Sequence, residues 1–119
     1  MSQTAARLSV SQHKDVTLVG FTDSKILDEV NIQEIGQAIC QLAALRDRPK
    51  LLLDFVAVDY LSSAALGMLI NVNGKIKQAN GQLRLANIKP QIMEVFEITK
   101  LKRVFRISAT REEALASFE

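Results

Sequence analysis

LLLDFVAVDYLSSAALGMLI, residues Leu51–Ile70, decides the fold. Its first three residues are apolar without alternation. A strand with one wet face alternates polar and apolar side chains, so an unbroken run belongs to a strand covered on both faces, as in a parallel sheet flanked by helices. Val56–Leu61 connects this strand to a polar doublet, Ser62-Ser63. Ala64–Ala79 then follows, with Leu66, Leu69, Ile70, Asn73 and Ile76 on one helical stripe. Ser62 suits the N-cap position, where a side-chain oxygen accepts one of the orphan amide protons of the first turn. On local physics alone, Ser63 is simply a residue of that turn.

Working upstream, Ile32, Ile35, Ile39, Leu42 and Ala43 recur at spacings of three and four, which predicts a helix. Asn31 would cap it, with Glu34 completing a capping-box pair, and Pro49 stops it near Leu45. Further upstream, Arg7–Ser11 and Val16–Phe21 have the β-branched content of strands, joined by a polar hairpin turn at Gln12–Asp15. Thr22–Val30 shows no period and reads as a loop.

Downstream, Asn80-Gly81 is a helix stop and Gln82–Ala86 alternates as a strand. Pro90 opens a third helix, Gln91–Ile98, because a residue without an amide proton fits the first turn. Val104–Ile107 reads as the last strand and Arg111–Phe118 as a terminal helix, capped by Thr110 with Glu112 and Glu113 in its positive first turn. The expected fold is therefore α/β: a mostly parallel or mixed sheet of four to five strands with alternating helices and right-handed crossovers.

The 119 residues suit one domain, 1–119, with its core at about 7–118. Such a chain buries roughly two-thirds of its unfolded surface and needs no disulfide or metal to fold. Cys40 is the only cysteine and falls in an apolar helical stretch, IGQAICQLAAL, which suits a buried structural thiol. MSQTAARLSVSQH lacks the basic start and apolar segment of a signal peptide, and no apolar run is long enough to cross a bilayer. A cytoplasmic protein without membrane insertion is expected. The net charge of +2 is unevenly spread, with acids early (Asp15, Asp23, Asp28, Glu29, Glu34) and bases late (Lys75, Lys77, Arg84, Lys89, Lys100, Lys102, Arg103, Arg106).

Catalytic patterns are missing. The single histidine, His13, sits in an early polar turn and no G-x-S-x-G elbow accompanies it. One His and one Cys cannot make a metal-ligand pattern, and neither G-x-x-x-x-G-K-[ST] nor G-x-G-x-x-G occurs. No cofactor, no metal and no enzyme activity are expected. The late basic residues are interleaved with Phe105 alone, too little stacking surface for nucleic-acid binding. In a sheet of this type the crevice lies beyond the carboxyl ends of the strands. That edge would hold Asp23, Asp54, the Tyr60–Ala64 turn and Asn87–Pro90.

At the serine turn the chain resembles a family, the STAS domain of bacterial anti-sigma-factor antagonists. Those proteins typically carry Asp-Ser-Ser/Thr-Gly-Leu-Gly at this strand-to-helix turn, where this chain has Ser62-Ser63-Ala64-Ala65-Leu66-Gly67. Gly20-Phe21-Thr22-Asp23 resembles the family's glycine-aspartate element after the second strand. Asn80-Gly81-Gln82-Leu83 resembles its strand entry, and Leu101–Phe105 its segment before the last strand. The likeness runs from about Arg7 to Phe118. It implies that Ser63 is the phosphoacceptor of a serine-protein kinase that doubles as the anti-sigma factor, with a serine phosphatase as a further partner. Asp23, Ser62, Ser63, Ala64, Met68 and Val72 would form the partner-binding surface. Ser62 stands where the family usually has aspartate, and Ala65 where it has glycine. Two other functions fit such a domain: a constitutive interaction module, serving as a scaffold or transport-system subunit, and a small-ligand or nucleotide sensor at the crevice near Asp23.

Overall fold

A computed structural model describes residues 8–118; Arg7, the expected start of the first strand, lies outside the described residues. The chain forms β1 (Leu8–His13), β2 (Val16–Phe21), β3 (Lys25–Ile26), α1 (Glu29–Ala44), β4 (Lys50–Asp54), β5 (Tyr60–Leu61), α2 (Ser63–Gln78), β6 (Gln82–Ala86), α3 (Pro90–Ile98), a 3-10 turn at Leu101–Arg103, β7 (Arg106–Ser108) and α4 (Arg111–Ala116). Five strands make the main sheet in the order β1-β2-β4-β6-β7. β1 and β2 are an antiparallel hairpin, and the remaining neighbours are parallel.

The central strand explains the architecture. Leu51 and Leu53 point to one face, where α1 and α2 supply Ile32, Ile35, Ile39, Leu69, Val72 and Ile76. Leu52 points to the other, where α4 and the C-terminal segment cover it with Ala114, Leu115 and Phe118. Leu51, Leu52 and Leu53 are all buried, as their unbroken apolar run requires. Ring contacts close the two ends of the larger core. Phe21 meets Phe55 with centroids 5.0 Å apart, and Phe96 meets Phe105 edge-on at 5.8 Å.

Two turns rest on backbone geometry. Asn80 takes φ 59°, and the Gly81 amide donates to the Ile76 carbonyl at 2.8 Å, so the left-handed residue ending α2 is Asn80. Gly81 is needed for space, since a Cβ there would strike the Pro49 carbonyl and Ile76. Lys14, at φ 57°, turns the first hairpin.

Several boundaries differ from those read in the sequence. The cap of α1 is Asp28, whose Oδ1 accepts from the Val30 amide at 3.3 Å, so Asn31 lies inside the helix. The apolar stripe begins only at Ile32, and Val30 is exposed, so periodicity could not mark the first turn. Thr22–Val30 contains β3 and Val56–Leu61 contains β5, which pair in parallel as a separate two-stranded sheet. The last strand begins at Arg106 because the turn at Leu101–Arg103 runs on through Val104, and α4 ends at Ala116.

Candidate functional site

The site grows from the serine doublet. Ser62 has extended backbone angles (φ −81°, ψ 167°), and its Oγ accepts from the Ala65 amide at 3.2 Å while its carbonyl accepts the first helical bond, from Leu66, at 3.1 Å. Ser62 is thus the N-cap, as its side chain and position suggested. Ser63 is the first residue of α2 and is exposed. A hydroxyl there lies beside amides at the positive end of a 16-residue helix.

The small sheet locks this turn to its neighbour. Lys25 pairs with Tyr60 and Ile26 with Leu61, and the Ser62 amide donates to the Ile26 carbonyl at 3.1 Å. The Ser24 carbonyl accepts from the amides of Asp59 (2.6 Å) and Tyr60 (3.1 Å). The first turns of α1 and α2 therefore leave the same two-stranded platform. Asp59 forms an ion pair with Lys89, the residue preceding α3. Asp54 Oδ1 accepts from the Val56 amide (3.0 Å) and from Asn87 Nδ2 (2.9 Å). These bonds fix the carboxyl rim of the sheet, where Asp54, the Tyr60–Ala64 turn and Asn87 were expected.

A groove of about 480 Å³ runs between α1 and α2. Glu29, Gln33 and Gly36 lie on the α1 side and Ala64, Gly67 and Met68 on the α2 side. Gly36 allows the helices to meet, since a Cβ there would lie 2.8 Å from Met68 Cγ. Exposed apolar side chains flank the two-stranded platform along the chain: Leu27 (53% exposed) follows β3, Val30 (61%) lies in the first turn of α1, Val56 (60%) lies between β4 and β5, and Tyr60 (56%) lies in β5. Lys25 Nζ sits 5.7 Å from the Tyr60 ring centroid, a cation–π distance.

Of the six residues expected at a partner surface, Ser63 and Ala64 are exposed, Ser62 and Met68 are half-buried at the same turn and groove, and Asp23 is half-buried next to Ser24. Val72 must be corrected. It is 1% exposed and belongs to the core, whereas Ile70, assigned to the core stripe, is 43% exposed. The buried face of α2 is Ala65, Leu66, Leu69, Val72, Asn73 and Ile76, rotated from the expected stripe because the helix packs on both the sheet and α1. The exposed apolar set of Leu27, Val30, Val56 and Tyr60 was not foreseen. Its only signal was apolar residues lying outside any helical or strand period.

His13 lies at the far end of β1, beside Lys14, Asp15 and Lys50. Among the described residues no group of three or more His, Cys, Asp or Glu side chains could hold a metal ion. No helix among them is long and apolar enough to cross a membrane.

Comparison with known proteins agrees with this architecture. BtrV of Bordetella bronchiseptica, whose name assigns it the role of an anti-sigma factor antagonist, is 36% identical over 92 residues, covering 76% of this chain and 79% of its own. The crystal structure of an anti-sigma factor antagonist from Mycobacterium paratuberculosis superposes with a TM-score of 0.80 at 27% identity, over 93% of this chain and 92% of that one. The phosphorylated form of the Bacillus cell fate determinant SpoIIAA shares the fold, with a TM-score of 0.68 at 14% identity, over 92% of this chain and 96% of that one. The STAS domain profile matches residues 7–114, and the chain belongs to the STAS family, among its anti-sigma-factor antagonists.

Proposed function

We propose that this domain is a partner-switching regulator of transcription with Ser63 as its phosphoacceptor. Unphosphorylated, it docks through the rim around the α2 N-terminus onto an anti-sigma factor that is also a serine-protein kinase, and so frees a sigma factor. The kinase transfers the γ-phosphoryl group of ATP to Ser63 Oγ, releasing the hydroxyl proton and ADP. The modified domain lets go, and a serine phosphatase restores it. In this scheme the domain is a kinase substrate working in the cytoplasm.

One observation carries the proposal: two adjacent serines divide the work at the start of α2. Ser62 caps the helix, and Ser63 stands exposed beside it. A phosphate on Ser63 adds roughly −1.5 to −2 charges and three acceptor oxygens. Free amides and the helix dipole tolerate that anion, so the fold survives. Bulk and charge at the carboxyl rim oppose docking. A loss of about 2.7 kcal/mol weakens binding roughly a hundredfold, enough to exchange partners. The relatives point the same way, since BtrV is named for antagonism of an anti-sigma factor and SpoIIAA has a phosphorylated form.

The test is incubation with the cognate kinase and ATP, followed by peptide mass spectrometry and a pull-down. The expected result is a single phosphate on Ser63 and loss of kinase binding by Ser63→Asp. Phosphate elsewhere, or undiminished binding by Ser63→Asp, overturns the switch and leaves a constitutive interaction module.

A further inference from the structure

We propose that a basic cleft at the amino ends of β6 and β7, at the opposite end of the sheet from Ser63, binds a small polyanion with linked phosphates. The cleft arises from the topology. β7 pairs with β6 only from Arg84, opposite Arg106, so Gln82 and Leu83 have no neighbouring strand on that side. The end of α2 and the Arg103–Val104 segment wall the resulting notch, leaving about 460 Å³. Pockets for small ligands run from about 300 to 1,000 Å³.

Charge selects the ligand. Lys77, Arg103 and Arg106 are exposed and line the notch, and its lining includes no aspartate or glutamate. Among the described residues none of these three forms an ion pair with a carboxylate. Arg84 also lines the notch, but its guanidinium is engaged on the α4 face, 4.9 Å from the Phe118 ring centroid, and is not counted towards the ligand. It is buried, its Nε donates to Ser117 Oγ at 2.9 Å, and one terminal nitrogen donates to Gln82 Oε1 at 2.9 Å and the Ser117 carbonyl at 3.2 Å.

Two exposed guanidinium forks and an ammonium on three separate segments suit an anion with several oxygens spread over more than one centre. Guanidinium groups pair with carboxylate and phosphate alike through two hydrogen bonds, but one carboxylate engages one fork, whereas linked phosphates can engage both arginines and the lysine at once. Val104, 40% exposed, gives the notch an apolar side. No aromatic ring lines it to stack a base, which argues against single-stranded nucleic acid.

The probe is tripolyphosphate, followed by calorimetry and by amide NMR shifts of the whole domain. Expected are shifts confined to Lys77, Gly81–Arg84 and Arg103–Arg106, affinity at least about tenfold above inorganic phosphate, and weakening by added salt. Arg103→Gln and Arg106→Gln, both at exposed positions, each lower affinity about tenfold or more, the cost of one charge-assisted contact. Lys100→Gln, outside the cleft, and Ser63→Asp leave it unchanged. Shifts spread over all the surface lysines, equal affinity for hexaglutamate or for an oligothymidylate, or indifference to both arginine substitutions overturns the proposal.

Discussion

Replacing the two serines one at a time separates the fold from the switch. Ser62→Ala removes the side-chain bond from Ala65 N (3.2 Å) and leaves an amide of the first turn unsatisfied. Losing such a cap costs about 1 kcal/mol, which lowers the melting temperature of a domain this size by about 4 °C. Ser63→Ala removes an exposed hydroxyl at a position where alanine is at least as good a helix former, so the change stays within about 0.5 kcal/mol. Ser63→Asp places a carboxylate against the positive end of α2 and gains about 0.3–1 kcal/mol. The assay is thermal unfolding of the three variants beside the parent domain, with the kinase pull-down run on the same preparations. Ser62→Ala should melt lower yet still bind, whereas Ser63→Asp should melt no lower and fail to bind. A Ser63→Ala variant as unstable as Ser62→Ala would refute the division of labour, because Ser63 would then be holding the fold. So would a Ser63→Asp variant that loses binding only because it has unfolded.

Val72→Ala should destabilise the domain by about 2 kcal/mol in chemical unfolding, through lost burial plus a cavity, whereas Ile70→Ala, at an exposed position on the same helix, should cost well under 1 kcal/mol. Gly81→Ala should cost about 1–3 kcal/mol, since the new methyl meets the Pro49 backbone, which cannot swing aside as a side-chain end can. The Asp15 carboxyl is held below its ordinary pKa by the hydrogen bond from Lys50 (2.9 Å), with partial opposition from desolvation and further help from the Lys50 charge. The native state therefore binds that proton less readily than the unfolded chain does. The pair's contribution is complete above the ordinary aspartate range and is lost as pH falls through the lower native pKa. Lys50→Met should return the Asp15 titration, followed by carboxyl-carbon NMR, towards its ordinary value, and an unchanged titration would rule out the pair.

Elements with a strong period were legible in the sequence, and those without one were not. Leu51–Leu53 and Gln82–Ala86 emerge where the sequence put them, because burial on both faces and strict alternation each leave a mark over several residues. Pro90 and Thr110 also start their helices as expected, since a missing amide and a capping hydroxyl are local chemistry. β3 and β5 have two residues each, too few to carry a period, and their pairing links segments more than thirty residues apart. That pairing is what sets the rim beside Ser63, so the serine was visible in the sequence and most of its surroundings were not. The exchange of Ile70 for Val72 has a similar cause. Ile70 and Val72 lie about 200° apart around the helix, one on each side of the stripe centred on Leu69, and only packing against a second helix decides which side is covered.

How phosphorylation at Ser63 would act follows from what joins it to the rest of the domain. α2 is anchored along its length by Ala65, Leu69, Val72 and Ile76 in the core, and its N-cap Ser62 is tied to β3 by the backbone bond to Ile26. Coupling between distant sites is carried by elements with two arrangements, and α2 shows one packed arrangement, held in the core by residues along its whole length. Lys77 lies 14 residues along it, about 21 Å at 1.5 Å per residue. That is about twice the 10 Å screening length in moderate salt, so the charge itself fades before reaching the basic cleft. On the proposed switch, the phosphate's influence would therefore be confined to the carboxyl rim. A partner would leave because its own contact surface had become anionic and crowded, with the domain beneath it unchanged.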